Sequence, residues 1–99
     1  MFLKGMILMN IPQIADIDTA IGIYYRYPEI SSKEITQIFR KRSKATVSRL
    51  KKIAQKRMIE DNVYSYGMYK INTECAYRAW GIDVEDLEKR RNKLQKLGL

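Results

Sequence analysis

The centre of the chain, from Arg40 to Arg57, reads RKRSKATVSRLKKIAQKR and contains nine Lys or Arg but no Asp or Glu. Within it, Val47, Leu50 and Ala54 recur at the spacing that lines one face of a helix. One face of this helix is therefore suited to pack on a core, and the other to meet a polyanion. The regular phosphates and wide major groove of DNA suit a cationic helix that is held from behind.

The composition limits the kind of protein. The chain has 99 residues, enough for one domain with a single small core. Nineteen Lys or Arg against eleven Asp or Glu give a formal net charge of +8, which points to nucleic acid or another anionic surface. Because the cations are concentrated on the amphipathic helix, nucleic acid is favoured. The alternative, a basic protein without an anionic partner, stays open at this point.

The sequence offers few groups for catalysis or metal binding. It contains one cysteine, Cys75, and no His, so we expect no disulfide within the chain, no metal site and no cofactor. It also lacks a glycine-rich phosphate loop and a base beside a serine or Cys75, so we do not expect an enzyme. A lone thiol is typical of a reducing compartment, and we expect a cytoplasmic, nucleoid-associated protein.

The first nine residues, MFLKGMILM, are apolar but are interrupted by Lys4 and Gly5. They are far shorter than the roughly 20 residues that span a bilayer, so we expect no membrane partner. Residues 1–12 are predicted to form an arm that packs on the domain or on a second subunit, with a disordered tail as the alternative.

Apolar spacing and capping residues predict two helices before the basic stretch. The first lies between Pro12 and Pro28 and has an apolar face of Ile14, Ile17, Ile21 and Tyr24. The second begins at Ser31, which can form a capping box with Glu34, while Ile30 can pack on Ile35 as a hydrophobic staple. Its buried stripe is Ile35, Ile38 and Phe39.

The third helix is predicted to run from a Ser43 cap to about Lys56. The segment that follows, from Asp61 to Asn72, is rich in Tyr and β-branched residues around a glycine, which predicts a short antiparallel hairpin. With Tyr66-Gly67 at its tip, this hairpin places Tyr64 across from Tyr69.

Two helices are predicted after the hairpin. A short one begins at Asn72 or Thr73 and ends at Gly81 in the left-handed conformation. The last one runs from Asp83 to about Leu97, with an apolar seam of Val84, Leu87, Leu94 and Leu97 that is interrupted by Arg91. Because this seam is too short for a stable free coiled coil, it packs either on its own domain or on a twin helix. We expect a homodimer, since DNA-binding proteins of this size commonly pair.

Three segments follow one another along the chain: Ile35-Thr36-x-x-Phe39, Ser43-x-x-Thr46-Val47-Ser48-Arg49, and Met58-Ile59 before the predicted hairpin. Over about residues 14–72 they resemble the winged helix-turn-helix of bacterial transcription regulators related to MarR. The chain departs from that pattern at Arg40-Lys41-Arg42, where the family usually has a Gly and an apolar residue in the turn. It departs again at Met58, where a Gly often ends the third helix.

The resemblance implies a mainly α fold with a small β-hairpin: a three-helix core, a wing, and one or two C-terminal helices. The predicted organisation is an N-terminal arm over 1–12, a winged helix-turn-helix domain over 13–72, and C-terminal helices over 73–99. The C-terminal helices either complete the core or form a dimer interface.

In the family that the chain resembles, the third helix enters the major groove and the hairpin tip approaches the flanking backbone. Carried over by position, the resemblance makes Ser43, Lys44, Thr46, Ser48 and Arg49 groove residues. We expect phosphate contacts from the cations Arg40, Lys41, Arg42, Lys51 and Lys52, and wing contacts from Tyr66 and Lys70. The alternative is structural: Ser43 acts only as a cap, and the others form a solvated helix face.

These features predict a sequence-specific protein that binds double-stranded DNA and regulates transcription. A homodimer would place two recognition helices about 34 Å apart, in successive major grooves. Two alternatives stay open: a DNA-organising or replication-accessory protein with low sequence preference, and a winged helix that docks onto another protein. No pocket for a small-molecule effector can be read from the sequence.

Overall fold

The computed structural model describes residues 11–40, 43–67 and 69–98. Over these ranges the protein is mainly helical, with one small antiparallel sheet. The helices are α1 Ile17–Arg26, α2 Ser32–Ile38, α3 Lys44–Glu60, α4 Thr73–Ala79 and α5 Val84–Lys96. The strands are β1 Glu29–Ile30 and β2 Ile71–Asn72. Most of the predicted N-terminal arm, residues 1–10, lies outside the described residues.

The first helix begins later than its apolar spacing suggests. Asp16 caps α1 by accepting a hydrogen bond of 3.0 Å from the Thr19 backbone N–H, so Ile14 precedes the helix. Ile14 still packs on the core from that position, partly buried. The Ala15 N–H donates to the Ile38 carbonyl at 2.8 Å, which anchors the entry of the chain against the end of α2.

The predicted capping box at the start of α2 is confirmed. The backbone N–H and the hydroxyl of Ser31 both donate to Glu34 Oε1, each at 2.8 Å. Partial burial opposes ionisation of Glu34, but the bonds from Ser31 outweigh it and hold the pKa of this carboxyl below its usual value. Ile30 and Ile35, predicted to form the staple, are both fully buried.

The third helix starts at the predicted Ser43 cap but continues to Glu60, four residues beyond the predicted end. It stops because Asn62 adopts a left-handed conformation, with φ of 57°. The Asn62 and Val63 N–H groups then donate to the Ile59 and Met58 carbonyls at 3.2 and 2.8 Å. This is a Schellman ending with Asn in the place that Gly often takes.

The predicted hairpin within 61–72 is wrong. The sheet instead pairs β1 with β2 in antiparallel register, Glu29 with Asn72 and Ile30 with Ile71, and the segment between α3 and β2 is a loop. Tyr69 has a left-handed φ of 65°, which a strand opposite Tyr64 does not allow. Ile30 and Ile71 are both fully buried, so the observed pairing satisfies the backbone of two core residues.

The fourth helix lies in the centre of the core. Tyr77 is almost fully buried, and its hydroxyl donates to the Ala20 carbonyl in α1 at 2.6 Å. Trp80 Nε1 donates to the Leu50 carbonyl in α3 at 3.0 Å, and its ring meets Phe39 edge to face. Gly81 ends α4 with φ of 74°, as predicted. These contacts join α1, α2 and α3 to one apolar centre.

The last helix packs on α1 through its first half only. Val84 and Leu87 are buried, and Arg91 lies 3.8 Å from Asp18 of α1. Leu94 and Leu97 remain 41% and 71% exposed. The predicted apolar seam therefore packs within the chain over the first turns of α5 and stays exposed to solvent over the last turns. Within the described ranges, none of the helices is both long enough and apolar enough to cross a bilayer.

Candidate nucleic-acid interface

The third helix has one buried face and one exposed face. Its buried side chains, Val47, Leu50, Ala54 and Met58, form a stripe along the core. The exposed side chains of the helix are Lys44, Ala45, Ser48, Lys52, Gln55, Lys56, Ile59 and Glu60. Burying a side chain such as Leu50 contributes about 1.5–3 kcal/mol, so the core holds this helix firmly in one orientation. The exposed face is thus presented on a rigid support.

Most cations of α3 are free of counter-charges. Among the described residues, Lys44, Arg49, Lys52 and Lys56 form no ion pair and no side-chain hydrogen bond. Arg57 differs, because its Nε lies 3.1 Å from Asp61 Oδ2. The helix carries six Lys or Arg and a single acid, Glu60, at its last position, so its field attracts anions.

The first turn of α3 also lacks an acid. Each of the other four described helices has an Asp or Glu in its first turn, whereas α3 begins with Lys44. A cation at this position opposes the helix dipole, which favours negative charge at an N-terminus. The free N–H groups and Lys44 together form a local positive region that is open to an external anion.

Ser43 and Thr46 interact mainly with each other. The Ser43 Oγ accepts from the Thr46 N–H at 3.2 Å and donates to Thr46 Oγ1 at 3.0 Å. Ser43 is exposed and Thr46 partly buried. The prediction that Ser43 caps α3 is therefore confirmed. Of the predicted groove residues, Lys44, Ser48 and Arg49 keep side chains without a hydrogen-bond partner in the part of the chain that the structure describes.

A shallow groove separates the start of α2 from α3. Ser32 and Thr36 line one side of it, and Lys44, Val47, Ser48 and Lys51 line the other. Lys51 also reaches the loop before β2, where its Nζ donates to the Tyr69 carbonyl at 2.9 Å. The predicted phosphate contact Lys51 thus already has one partner within the fold.

Arg40 lies in the turn between α2 and α3 in a left-handed conformation, with φ of 66°. Glycine adopts this conformation without strain, so Arg40 occupies a position of the turn that favours glycine. Arg40 is exposed, and one long hydrogen bond of 3.4 Å joins its Nη2 to the Ala15 carbonyl. The neighbouring predicted residues Lys41 and Arg42 lie outside the described residues.

The loop between α3 and β2 displays three tyrosines, Tyr64, Tyr66 and Tyr69, and we call it the tyrosine loop. These side chains are 79%, 98% and 78% exposed. At the base of the loop Lys70, also exposed, has the only cationic side chain among the loop residues that the structure describes. The predicted wing residues Tyr66 and Lys70 therefore both reach solvent.

Glu29 of β1 holds the tyrosine loop in place. Its carboxylate accepts hydrogen bonds from the backbone N–H groups of Tyr66 at 2.6 Å and Gly67 at 2.9 Å. Partial burial opposes ionisation of Glu29, but these two bonds outweigh it and hold its pKa below the usual value. A Cβ added at Gly67 would lie 3.2 Å from Glu29 Oε1, so a glycine suits this close approach.

Several residues of this surface were missed by sequence reasoning. Gln55 and Lys56 lie inside the predicted helix but were not among the predicted contacts, although Ser48, Lys52 and Lys56 follow a clear spacing of four residues. Glu29 gave no signal, because its partners lie more than thirty positions later in the chain.

Comparisons with known proteins add no family and no relative to these geometric observations. No protein-family model, no curated protein and no solved structure matches this chain.

Proposed function

We propose that this protein binds double-stranded DNA by inserting α3 into the major groove. The observation that carries the proposal is a set of four cations without counter-charges among the described residues, on a helix packed from behind by the core: Lys44, Lys52 and Lys56 are exposed, and Arg49 is partly buried. The order of the elements and the pairing of β1 with β2 are compatible with a winged helix-turn-helix. In this layout the tyrosine loop takes the position of the wing.

The cations of α3 supply affinity, and its polar side chains supply selectivity. Lys44, Lys52 and Lys56 neutralise phosphates and release bound counterions, a term that does not depend on sequence. Arg49 and Ser48 contact base edges, where an arginine that binds guanine with two hydrogen bonds contributes about 1–3 kcal/mol of discrimination. This division of roles makes the protein a sequence-specific transcriptional regulator.

A homodimer fits this function. Leu94 and Leu97 leave an apolar strip on the last turns of α5, beyond the part of the helix that packs on α1. A twin helix that covers this strip relates two copies of α3 by a two-fold axis, as a palindromic site requires.

The test measures affinity for a site selected from a random duplex pool and for a mixed-sequence duplex, over a range of salt concentrations. Arg49→Ala lowers binding to the selected site by about tenfold to a hundredfold and binding to the mixed duplex much less. Lys52→Gln lowers both and reduces the salt slope by about 1. Lys93→Gln, which removes an exposed cation of α5, is the matched control and leaves both nearly unchanged.

The measurements distinguish a failure of DNA binding from a failure of base readout. A protein that selects no sequence and shows no salt-sensitive affinity for any duplex contradicts the proposal. Equal losses for Arg49→Ala on both duplexes contradict base readout while leaving DNA binding in place.

One observation favours a second function, a DNA-organising protein with low sequence preference. The exposed face of α3 carries several cations but few neutral polar side chains for base edges, chiefly Ser48 and Gln55. Phosphate contacts alone position a protein without specifying sequence. Footprints that spread along the duplex as protein concentration rises distinguish this function from a regulator, whose footprint stops at one site.

A further inference from the structure

The tyrosine loop exposes more aromatic surface than the fold itself needs. Tyr64, Tyr66 and Tyr69 each leave more than three quarters of their surface in solvent, while Tyr77 and Trp80 serve the core. No ring of the tyrosine loop stacks on another aromatic side chain among the described residues. The three rings are therefore available to an external ligand.

The loop that carries these rings is anchored at two points. Glu29 accepts from the Tyr66 and Gly67 N–H groups, and Lys51 donates to the Tyr69 carbonyl. Ser65 adds a hydrogen bond of 3.0 Å from its hydroxyl to the Gly67 carbonyl. Because the backbone of the loop is held in this way, it loses little conformational entropy when the rings bind a ligand.

The charge of the tyrosine loop does not suit a phosphate. Its one described cation, Lys70, lies close enough to Glu29 for its charge to lower the pKa of that carboxyl. The side chains of Lys70 and Glu29 both approach Gly67, so a carboxylate lies near the one described cation of the loop. What the loop offers is the flat face of a tyrosine ring, and such faces bind exposed bases with little regard to sequence.

The position of the loop indicates where such bases come from. The Lys51 Nζ to Tyr69 carbonyl bond of 2.9 Å places the loop beside the middle of α3, next to the proposed duplex surface. Bases inside a duplex cover one another's faces, so a side chain stacks on unpaired bases without the cost of unstacking a duplex. A protein partner could also meet these rings, but the positive charge of α3 beside them favours a nucleic-acid strand.

We propose that the tyrosine loop stacks on unpaired bases next to the duplex that α3 holds. The preferred ligand is then a duplex with a single-stranded extension or a locally opened segment. This inference rests on the proposed DNA-binding function and adds the structure of the nucleic acid to it.

The test compares three probes by fluorescence anisotropy with the full chain: a blunt duplex, the same duplex with a single-stranded tail, and the duplex with an abasic tail. The abasic tail carries the same phosphates without bases, so it controls for charge. We expect the base-bearing tail to bind about tenfold or more tighter than the abasic tail.

Substitutions at the most exposed ring identify the contact. Tyr66→Ala, alone or with Tyr64→Ala, removes the preference for the base-bearing tail, whereas Tyr66→Phe keeps it because stacking needs the ring and not the hydroxyl. Tyr25→Ala is the matched control: Tyr25 is an exposed tyrosine of α1 that bonds to Glu88, and its replacement keeps the preference. Because Tyr66 is 98% exposed, its variants fold as the parent does.

Three results overturn this inference. Equal affinity for the base-bearing and abasic tails, with Tyr66→Ala unchanged, assigns the rings to another partner such as a protein. If Tyr66→Phe and Tyr66→Ala lose the same affinity, and lose it for both tails, the Tyr66 hydroxyl contacts phosphate and its ring does not stack on a base. Failure to bind any probe removes the proposed function as well, whereas Arg49-dependent binding of the blunt duplex without a tail preference leaves that function standing.

Discussion

The Lys51 Nζ donates a hydrogen bond of 2.9 Å to the carbonyl oxygen of Tyr69, and this bond joins the middle of α3 to the tyrosine loop. Tyr69 adopts a left-handed φ of 65°, a conformation that a non-glycine residue keeps only when its surroundings hold it. Lys51 is therefore a positioning residue for the loop as well as a cation of the proposed interface.

Lys51→Met tests this positioning role. The variant keeps most of the aliphatic stem but loses the donor, so we expect amide exchange in the tyrosine loop to become faster by about tenfold. We expect the salt slope of DNA binding to change less than with Lys52→Met, which removes a cation that has no described partner. Equal changes of the salt slope for the two variants would show that Lys51 contacts phosphate as Lys52 does.

Lys44→Glu is expected to stabilise the fold and to abolish DNA binding. An acid in the first turn of α3 interacts favourably with the helix dipole, so the free energy of unfolding rises by about 1 kcal/mol. The same acid repels phosphate at the proposed interface. Thermal melting and DNA titration measure the two effects. Lys93→Glu, near the C-terminus of α5, is the control for the charge reversal. There an acid opposes the helix dipole, so the free energy of unfolding falls. Undiminished DNA affinity in Lys44→Glu would contradict the role of this helix start.

Arg40→Gly is expected to raise the free energy of unfolding by about 1 kcal/mol, because glycine adopts the left-handed region without strain. The gain is limited by the greater freedom of glycine in the unfolded chain and by loss of the long contact with the Ala15 carbonyl. Urea unfolding measures it. Arg40→Ala isolates the side-chain contact, and Asn62→Gly gains less, since Asn tolerates the left-handed region. A stability loss in Arg40→Gly equal to that of Arg40→Ala would show that strain at this turn is negligible.

Glu29→Gln is expected to loosen the tyrosine loop without unfolding the domain. Glutamine keeps one acceptor oxygen but presents an NH₂ group to the second N–H, so protection of the Tyr66 and Gly67 amides falls by about tenfold. Gly67→Ala is a second way to disturb the same contact, because its Cβ crowds Glu29 and Lys70. Unchanged protection in both variants would show that this carboxylate does not order the loop.

The same contact predicts a dependence on pH. The pKa of Glu29 is lowered in the fold from its ordinary value of 4.5, so its stabilisation is complete above that value. As the pH falls below 4.5 and through the lowered pKa, the carboxylate takes up a proton and the stabilisation is lost. Glu34, whose pKa is also lowered, acts in the same direction on α2. Loop protection measured relative to intrinsic exchange rates, in the parent and in Glu29→Gln, isolates the first effect.

Features that depend on neighbouring residues could be predicted from the sequence. The Ser31–Glu34 capping box, the Ser43 cap and the left-handed Gly81 all follow from side chains within four positions of the backbone they serve. The buried stripe of α3 followed in the same way from its periodicity, and with it the exposed cationic face.

Features that depend on distant partners could not be predicted. The tyrosine-rich segment has high β-propensity, but that propensity reflects packing on a half-buried sheet surface, which Tyr64 and Tyr69 do not have. Glu29 looks like an ordinary exposed acid until the fold brings Tyr66 and Gly67 beside it. The end of α3 was missed because Asn62 replaces the expected glycine signal.

The pairing of β1 with β2 joins parts of the chain that are synthesised at different times. The two strands lie about forty positions apart, so closing the sheet is a non-local step of the kind that slows folding. During synthesis on the ribosome, Ile30 emerges well before Ile71 and has no strand partner until the far side of α3 has left the exit tunnel. The carboxylate of Glu29 likewise waits for the amides of Tyr66 and Gly67, which are made more than thirty residues later.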